Sequence, residues 1–237
     1  MKNLGKLISG EVDRANKYHI LTIGLIVSLI WCIIIAAIPF KDVTRLVPLL
    51  VLVDSAVMSA ILISASLFFE RSEGTLTTIS VTPSSVLEIL LSKIVMSIIV
   101  SLLSTAIILV SVLVFHKTLI NLMLVPYVIL VSALNSIIGI LISLHSRDFN
   151  SMLINFSVFV IILDLPAVLA SIGVLPNWLE LFFIILPSQA SQILISSTIA
   201  VTDLYQVLIA LGVVILWTIL LLIFAVYPKF KQYIVKG

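Results

Sequence analysis

The sequence predicts an all-helical integral membrane protein with six transmembrane helices. Three observations lead to this prediction: 62% of the 237 residues are hydrophobic, only 10% are charged, and the apolar residues gather in six long runs. Soluble domains carry about 45–50% apolar and about 25% charged residues. The single cysteine, Cys32, excludes a disulfide within the chain. The net charge of +2 is too small to suggest a nucleic-acid partner.

Each apolar run is long enough to cross a bilayer. A helix that crosses the roughly 30 Å hydrocarbon core needs about 20 residues. Backbone groups in lipid must be hydrogen-bonded within the segment, which favours helices over open strands. The runs lie at about residues 19–39, 46–69, 90–115, 119–144, 150–173 and 204–227. We therefore expect one membrane domain over residues 1–237.

Lysine and arginine are distributed unevenly between the segments that connect these runs. With the N-terminus in the cytoplasm, the outer segments hold only Lys41, Arg45 and Lys117, and the other ten basic residues fall in cytoplasmic segments. Cytoplasmic loops carry an excess of lysine and arginine. The sequence therefore predicts a multi-pass protein of the cytoplasmic membrane with both termini in the cytoplasm.

Residues 1–17 have the pattern of an amphipathic helix that lies on the membrane lipid. Leu4, Leu7, Ile8, Val12 and Ala15 recur at helical spacing, and the basic residues fall mainly on the opposite face. Such a helix buries its apolar face at the headgroup boundary. Two interpretations stay open: an arm that only orients the chain, and an elbow helix that bounds a docking surface.

The segment between the second and third runs concentrates charge. Its charged residues are Glu70, Arg71, Glu73, Glu88 and Lys93. Gly74 permits a tight change of direction. A short helix is expected from Leu76 to the Thr82-Pro83 pair, because the residue before a proline is pushed from helical dihedrals. Ser85 and Glu88 have capping-box spacing. These features fit either a capped turn with solvated charges or a docking surface.

The order of residues in this segment resembles the permease subunits of type-2 ABC exporters, and it is most similar to the small fluoroquinolone-export permeases. The shared pattern comprises Asp54, Glu70, Gly74, Leu76, Val81-Thr82-Pro83, Glu88 and Leu90-Leu91-Ser92-Lys93. The chain departs from that pattern at Ser55, where the family tends to have proline, and at Ile89, where it tends to have an aromatic residue.

The resemblance implies a transport subunit that is not itself an enzyme. The sequence has no G-x-x-x-x-G-K-[ST] loop, so ATP and Mg²⁺ would be bound by a separate ABC ATPase subunit, with no cofactor in this chain. A second permease copy would complete a homodimer. The helix between the second and third spans would couple to the ATPase. The implied coupling residues are Glu70, Arg71, Glu73, Gly74, Thr75, Leu76, Thr82, Pro83, Glu88 and Lys93.

The implied substrate is an amphipathic, drug-like small molecule that is moved outward. A lipid, a peptide or a saccharide is the alternative cargo. An ATP-independent carrier or a membrane assembly factor is the alternative function. An intramembrane protease is not favoured, because no histidine lies in the middle of a span and no G-x-S-x-G motif occurs. The three histidines lie near span ends and predict no metal site.

Two acidic residues fall inside the predicted spans. Asp54 lies on the order of 12 Å and Asp164 about 9 Å from the outer edge of the core. An ionisable group in a span costs a few kcal/mol and is a candidate for function. We expect Asp54 and Asp164, with the hydroxyls of Ser59 and Ser101, to line the path of a cationic or zwitterionic substrate. The alternatives are protonated or capping aspartates, and serines that only allow close helix packing.

Residues 174–203 are apolar but interrupted by proline. The run from about 178 to 186 is too short to cross the membrane, and Pro176 and Pro187 bound it. The sequence predicts two half-helices that enter the outer leaflet and return between the fifth and sixth spans. Irregular backbone at that depth must be covered by protein or line water.

Overall fold

The computed structural model describes residues 4–37, 39, 43–75, 85–118, 120–171, 174 and 183–236, and every regular element within these ranges is helical. The α-helices are α1 (Leu4–Lys17), α2 (Ile20–Ala37), α3 (Val43–Leu52), α4 (Ser59–Ser72), α5 (Val86–His116), α6 (Leu124–His145), α7 (Phe149–Phe159), α8 (Leu165–Ser171), α9 (Pro187–Ser196), α10 (Leu204–Leu220) and α11 (Tyr227–Lys236). Three π-helical segments, Val53–Met58, Val160–Asp164 and Leu221–Val226, continue α3 into α4, α7 into α8 and α10 into α11.

Six helical stretches are long and apolar enough to cross a membrane, which confirms the predicted number of spans. Spans 1 to 6 are Ile20–Ala37, Leu46–Ser72, Val86–His116, Leu124–His145, Phe149–Ala170 and Leu204–Tyr233. The predicted end of span 6, near residue 227, is early because Pro228 does not stop the helix. Pro228 follows the π-helical segment Leu221–Val226 within one continuous helix, and a local π-helical adjustment lets a membrane helix accommodate the missing N–H of a proline.

Spans 2 and 4 form the centre of the bundle. Their most apolar windows are 61% and 67% buried, against 33% for span 3. From the small residues scattered in spans 2 and 3, the sequence predicts that these two are the inner helices. The burial fits this prediction for span 2, but span 4 is buried more than span 3. Gly139 explains the position of span 4. A Cβ atom there would lie 2.4 Å from the Ala60 carbonyl oxygen, and Ser64 Oγ donates to the Gly139 carbonyl at 2.6 Å.

The connection between spans 2 and 3 follows local sequence signals where it is described. Gly74 lies two residues after the end of α4 and has a φ of 69°, which fits the predicted turn. Span 3 begins with the predicted capping box: Ser85 Oγ accepts from the Glu88 amide at 3.2 Å, and Glu88 Oε2 accepts from the Ser85 amide at 3.0 Å. Leu76, Thr82, Pro83 and the short helix predicted around them lie outside the described residues.

Helix α9 corresponds to the second of the two predicted half-helices. It begins at Pro187 and has ten residues, eight of which are buried. At 1.5 Å per residue it is about 15 Å long, too short to cross a bilayer. The first predicted half-helix, at about 178–186, lies mostly outside the described residues. The depth of both segments in the membrane stays a prediction.

Candidate functional site

A cavity runs between α1 and the first three spans. Its empty volume, which includes space open to solvent, is about 620 Å³, and only a small part of it is wide enough to hold a water molecule. Apolar side chains such as Met58, Leu62 and Val100 form most of its wall. Asp54 lies at one end, and Glu11 and Lys93 lie at the other. The cavity is therefore a narrow, mostly apolar passage with charged groups at both ends.

Asp54 is held at its end of the cavity by one carboxylate oxygen only. Trp31 Nε1 donates to Asp54 Oδ1 at 3.0 Å, and Ser104 Oγ donates to the same oxygen at 2.7 Å. Ser28 Oγ lies 2.7 Å from Ser104 Oγ and extends the chain of hydroxyls to span 1. The side chain of Asp54 is 2% exposed. Spans 1, 2 and 3 thus meet at this carboxylate.

Several polar atoms along the cavity have no hydrogen-bond partner in the described part of the chain. They are Asp54 Oδ2 and the hydroxyl oxygens of Ser59, Ser97 and Ser101, and all four residues are buried. A buried polar atom without a partner costs free energy, and such atoms in a cavity are satisfied by water or by a ligand. This part of the cavity is therefore built to hold something polar.

The polar residues of span 3 follow one helix face. Lys93, Ser97, Ser101 and Thr105 recur every four residues, a spacing that places side chains above one another. From Lys93 to Ser104 the rise is about 16 Å. This row of polar residues on span 3 thus joins the two polar ends of the cavity. In the sequence, its serines are recognisable only as small residues.

The second end of the cavity is a buried cluster of four charges. Lys93 Nζ lies 2.5 Å from Glu70 Oε2 and 3.0 Å from Glu11 Oε1. Arg14 contacts Glu11 at 2.7 Å and Glu70 at 3.6 Å. Burial lowers the pKa of Arg14, but the two carboxylates outweigh it and hold that pKa above its ordinary value. The cluster binds α1 to spans 2 and 3 and balances two negative with two positive groups.

Glu73 lies one residue beyond span 2, on the surface. Its carboxylate accepts from Lys17 Nζ at 2.5 Å and from Tyr18 Oη at 2.9 Å. Hydrogen bonds from Lys17 and then Tyr18 hold the pKa of Glu73 below its ordinary value. Burial, followed by the Glu73 contact, raises the pKa of Tyr18 to about 12. The side chain of Glu73 is 38% exposed, so part of it stays available to a second protein.

Two more of the predicted coupling residues, Arg71 and Thr75, make contacts within the chain. Arg71 donates to the carbonyl oxygens of Ser143 and Ser146, and its guanidinium lies 4.8 Å from the centre of the Tyr233 ring. It therefore joins the end of span 2 to the ends of spans 4 and 6. Thr75 Oγ1 donates to the Glu70 carbonyl at 2.9 Å and closes the end of α4.

Asp164 belongs to a different cluster. Its Oδ1 accepts from Ser188 Oγ at 2.6 Å, which ties span 5 to the beginning of α9. Asp164 Oδ2 and the side-chain oxygens of Gln189 and Gln192 have no partner within the described ranges. No residue of this cluster lines the cavity. Asp164 and Asp54 are therefore not brought together, although both lie in π-helical segments, which are rare and often occur at functional sites.

The cavity gathers many of the predicted residues and some that the sequence does not single out. Asp54, Ser59, Ser101 and Lys93 line it together. Glu11, Ser28, Trp31 and Ser104 complete its polar contacts. One signal for Glu11 exists in the sequence: it falls on the apolar face of α1, four residues after Leu7 and four before Ala15.

A comparison of the chain with models of known protein families and with curated protein sequences finds no match. Within the described residues, no three His, Cys, Asp or Glu side chains come together as a metal site would require. The geometry of the cavity and of the charge cluster therefore carries the functional argument.

Proposed function

We propose that the chain is the membrane-spanning permease subunit of an ATP-driven ABC exporter, working with a separate ATPase subunit and a second permease copy. It moves an amphipathic, drug-like small molecule outward across the cytoplasmic membrane. The observation that carries the proposal is the buried charge cluster. It ties α1 to both helices that flank the segment of residues 76–84, next to the exposed Glu73.

The cluster offers a mechanical link from the cytoplasmic surface to the cavity. Glu70 is on span 2, Lys93 is on span 3 and Glu11 is on α1. Because the three side chains are buried and in contact, a push on the connection between spans 2 and 3 moves the three helices as one body. Rigid-body movements of this kind are a common way to switch a protein between states. Glu11 and Lys93 of the cluster line the cavity, so such a movement changes the cavity.

The lining of the cavity suits a molecule with an apolar body and a positive group. Its wall is mainly apolar. Among the lining residues, no lysine or arginine near Asp54 neutralises the charge of that carboxylate. The lining lysine, Lys93, pairs with Glu11 and Glu70 instead. The narrow free space means that spans 1 to 3 must separate before a drug-sized molecule enters.

Glu73 is the residue that we assign to direct contact with the ATPase. Glu70 has no exposed surface and its carboxylate is held by Lys93, so its part is to hold the helices together. Glu73 presents a partly exposed negative charge beside Lys17 and Tyr18. A basic side chain of the ATPase is its complement.

The test is a search for a Walker-type ATPase encoded beside the gene of this chain, followed by co-purification of the two proteins and a screen for compounds that stimulate ATP hydrolysis in lipid discs. Glu73→Lys reverses the charge that meets the ATPase, and we expect binding and stimulated hydrolysis to fall at least tenfold. Because Glu73 also pairs with Lys17, the control is the swapped variant Lys17→Glu/Glu73→Lys, which restores the pair inside the chain.

The two variants separate the possible outcomes. Loss in both variants supports direct contact between Glu73 and the ATPase. If ATPase binding and stimulated hydrolysis recover in the swapped variant, only the pairing of residue 73 with α1 matters. That result would overturn the direct contact between Glu73 and the ATPase. If no ATPase co-purifies with the native chain and no compound stimulates hydrolysis, an ATP-independent carrier or assembly factor replaces the proposed exporter.

A further inference from the structure

We propose that the Asp54 end of the cavity binds a small monovalent cation, with Asp54 Oδ2 and the hydroxyl oxygens of Ser59, Ser101 and Ser104 as its ligands. The inference rests on the cavity alone and does not depend on the chain being an exporter. It assigns a resident ion to a place where span 1, span 2 and span 3 meet.

The first argument is the unequal use of the two Asp54 oxygens. Oδ1 accepts two hydrogen bonds, from Trp31 and Ser104. Oδ2 is buried, and it accepts none from the described residues. Both observed donors are neutral, so they leave the negative charge of the carboxylate uncompensated in a site that is almost closed to solvent. A bound cation at Oδ2 supplies the missing charge and the missing contact.

The second argument is the position of the neighbouring hydroxyls. Spans 2 and 3 meet at the contact between Asp54 and Ser104. Ser59 lies five residues, or about 7 Å, along span 2 from Asp54, and Ser101 lies three residues, or about 4 Å, along span 3 from Ser104. Both hydroxyls line the same cavity, are 4% exposed and have no partner in the described ranges. Asp54, Ser59 and Ser101 thus line one cavity with oxygen atoms that have no partner among the described residues.

The donor set decides the class of ion. Carboxylate and hydroxyl oxygens are hard ligands, which favours alkali and alkaline-earth cations over transition metals. Ca²⁺ sites use six to eight oxygens and Mg²⁺ requires a near-ideal octahedron. Here a single carboxylate supplies a charge of −1, which one monovalent ion neutralises.

The test uses the purified full chain in lipid discs, without ATPase or substrate. Binding of radioactive sodium is measured by scintillation proximity, and melting is followed in sodium, lithium, potassium or choline chloride at equal ionic strength. We expect saturable sodium binding. At a sodium concentration about five times the dissociation constant, the melting temperature should exceed that in choline by about 2–4 °C.

Three variants locate the ion and two more serve as controls. Asp54→Asn keeps the shape and removes the charge, and it should abolish sodium binding and the difference between salts. Ser59→Ala and Ser101→Ala should each weaken binding at least threefold, and they test the site if Asp54→Asn does not fold. The controls are Asp164→Asn, an equally buried aspartate outside the cavity, and Ser111→Ala, whose hydroxyl bonds to the Ile107 carbonyl within span 3; both should bind as the native chain does.

Two results would overturn the proposal. One is the absence of sodium, lithium and potassium binding to the native chain, together with equal melting temperatures in every salt. In that case Asp54 is a neutral, protonated acid. The other is sodium binding that survives in Asp54→Asn or that is lost equally in Asp164→Asn, which would place the ion elsewhere.

Discussion

At the scale of single residues, the buried charges are what distinguish this chain from a plain bundle of apolar helices. Lys93, Glu70 and Glu11 are each less than 5% exposed, and they satisfy one another. A buried ion pair adds little net stability compared with apolar packing, but removing one partner is costly because the other charge is left alone. The main effect of the cluster is therefore to determine which helices come into contact. Its net contribution to the free energy of unfolding is small.

Replacing Lys93 tests this view. Lys93→Met leaves two buried carboxylates with only Arg14 near them, and we expect the free energy of unfolding to fall by about 3–5 kcal/mol. The matched control is Lys17→Met, which breaks the exposed pair with Glu73 and should cost less than about 1 kcal/mol. Denaturant titration of both variants in detergent micelles measures the difference. Equal losses would show that the cluster has no special role.

The contact between Glu73, Lys17 and Tyr18 predicts a pH dependence. The lowered pKa of Glu73 means that its contribution to the docking of α1 is full above the ordinary glutamate pKa, about 4.3, and is lost as the pH falls through the lower folded value. The raised pKa of Tyr18 means that the contribution of its phenol is full below the ordinary tyrosine pKa, about 10, and is lost as the pH rises through about 12.

An ultraviolet titration of phenolate absorbance measures the Tyr18 end of this window, with Tyr18→Phe as the reference. The difference between the native chain and the reference should titrate near 12. In Glu73→Gln the same difference should titrate at a lower pH, because the negative neighbour is gone, although burial still raises the pKa. An unchanged midpoint in Glu73→Gln would show that Glu73 does not contact the Tyr18 phenol.

At the scale of elements, close approach of spans 2 and 4 organises the bundle. Gly139 leaves no room for a side chain beside the Ala60 carbonyl. Gly212, in span 6, has no atom within 4 Å of the position of an added Cβ. We expect Gly139→Ala to lower the free energy of unfolding by about 1–3 kcal/mol through overpacking. Gly212→Ala should be neutral or stabilise by up to about 1 kcal/mol. The same unfolding titration checks both, and a harmless Gly139→Ala would contradict the close packing.

Among the described residues, one hydrogen bond joins helix α9 to Asp164 of span 5, and the two elements also pack against each other. Ser188→Ala leaves the buried Asp164 carboxylate without its donor, and an unsatisfied buried acceptor costs about 1–3 kcal/mol. We expect amide hydrogen exchange in α9 to become about fivefold faster or more. The control Ser191→Ala removes a hydroxyl that bonds only to the Pro187 carbonyl within α9, and it should change the rate much less. Equal rates in the two variants would contradict the tie to span 5.

The elements that could be predicted from sequence are those with local causes. Six apolar runs, the Ser85 capping box and the turn at Gly74 depend on neighbours within a few residues, and the structure confirms them. The π-helical segments at Asp54 and Asp164 could not be predicted, because each adds a residue to a turn that tertiary packing accommodates. The contact of Glu11 with Lys93 joins residues 82 positions apart. Only the place of Glu11 on an apolar helix face indicates it.

At the scale of the whole molecule, the proposed contact with an ATPase depends on which side of the membrane the end of span 2 faces. The described helices form six candidate spans, so the two termini lie on one side if all six cross. The excess of lysine and arginine predicts that this side is the cytoplasm. Glu73 then lies beside the cytoplasm, where an ATPase can reach it, and the Asp54 end of the cavity lies toward the outside.

The most direct measurement is cysteine labelling of intact cells and of inside-out vesicles with a membrane-impermeant maleimide. Two variants are made in a Cys32→Ser chain: one carries a single cysteine in place of Glu73, and the other a single cysteine in place of Leu122. Leu122 is 81% exposed between spans 3 and 4 and marks the opposite side of the membrane. The account predicts that the cysteine at Glu73 reacts only in inside-out vesicles and the cysteine at Leu122 only in intact cells. Labelling of the Glu73 position from outside intact cells would contradict the proposed coupling to an ATPase.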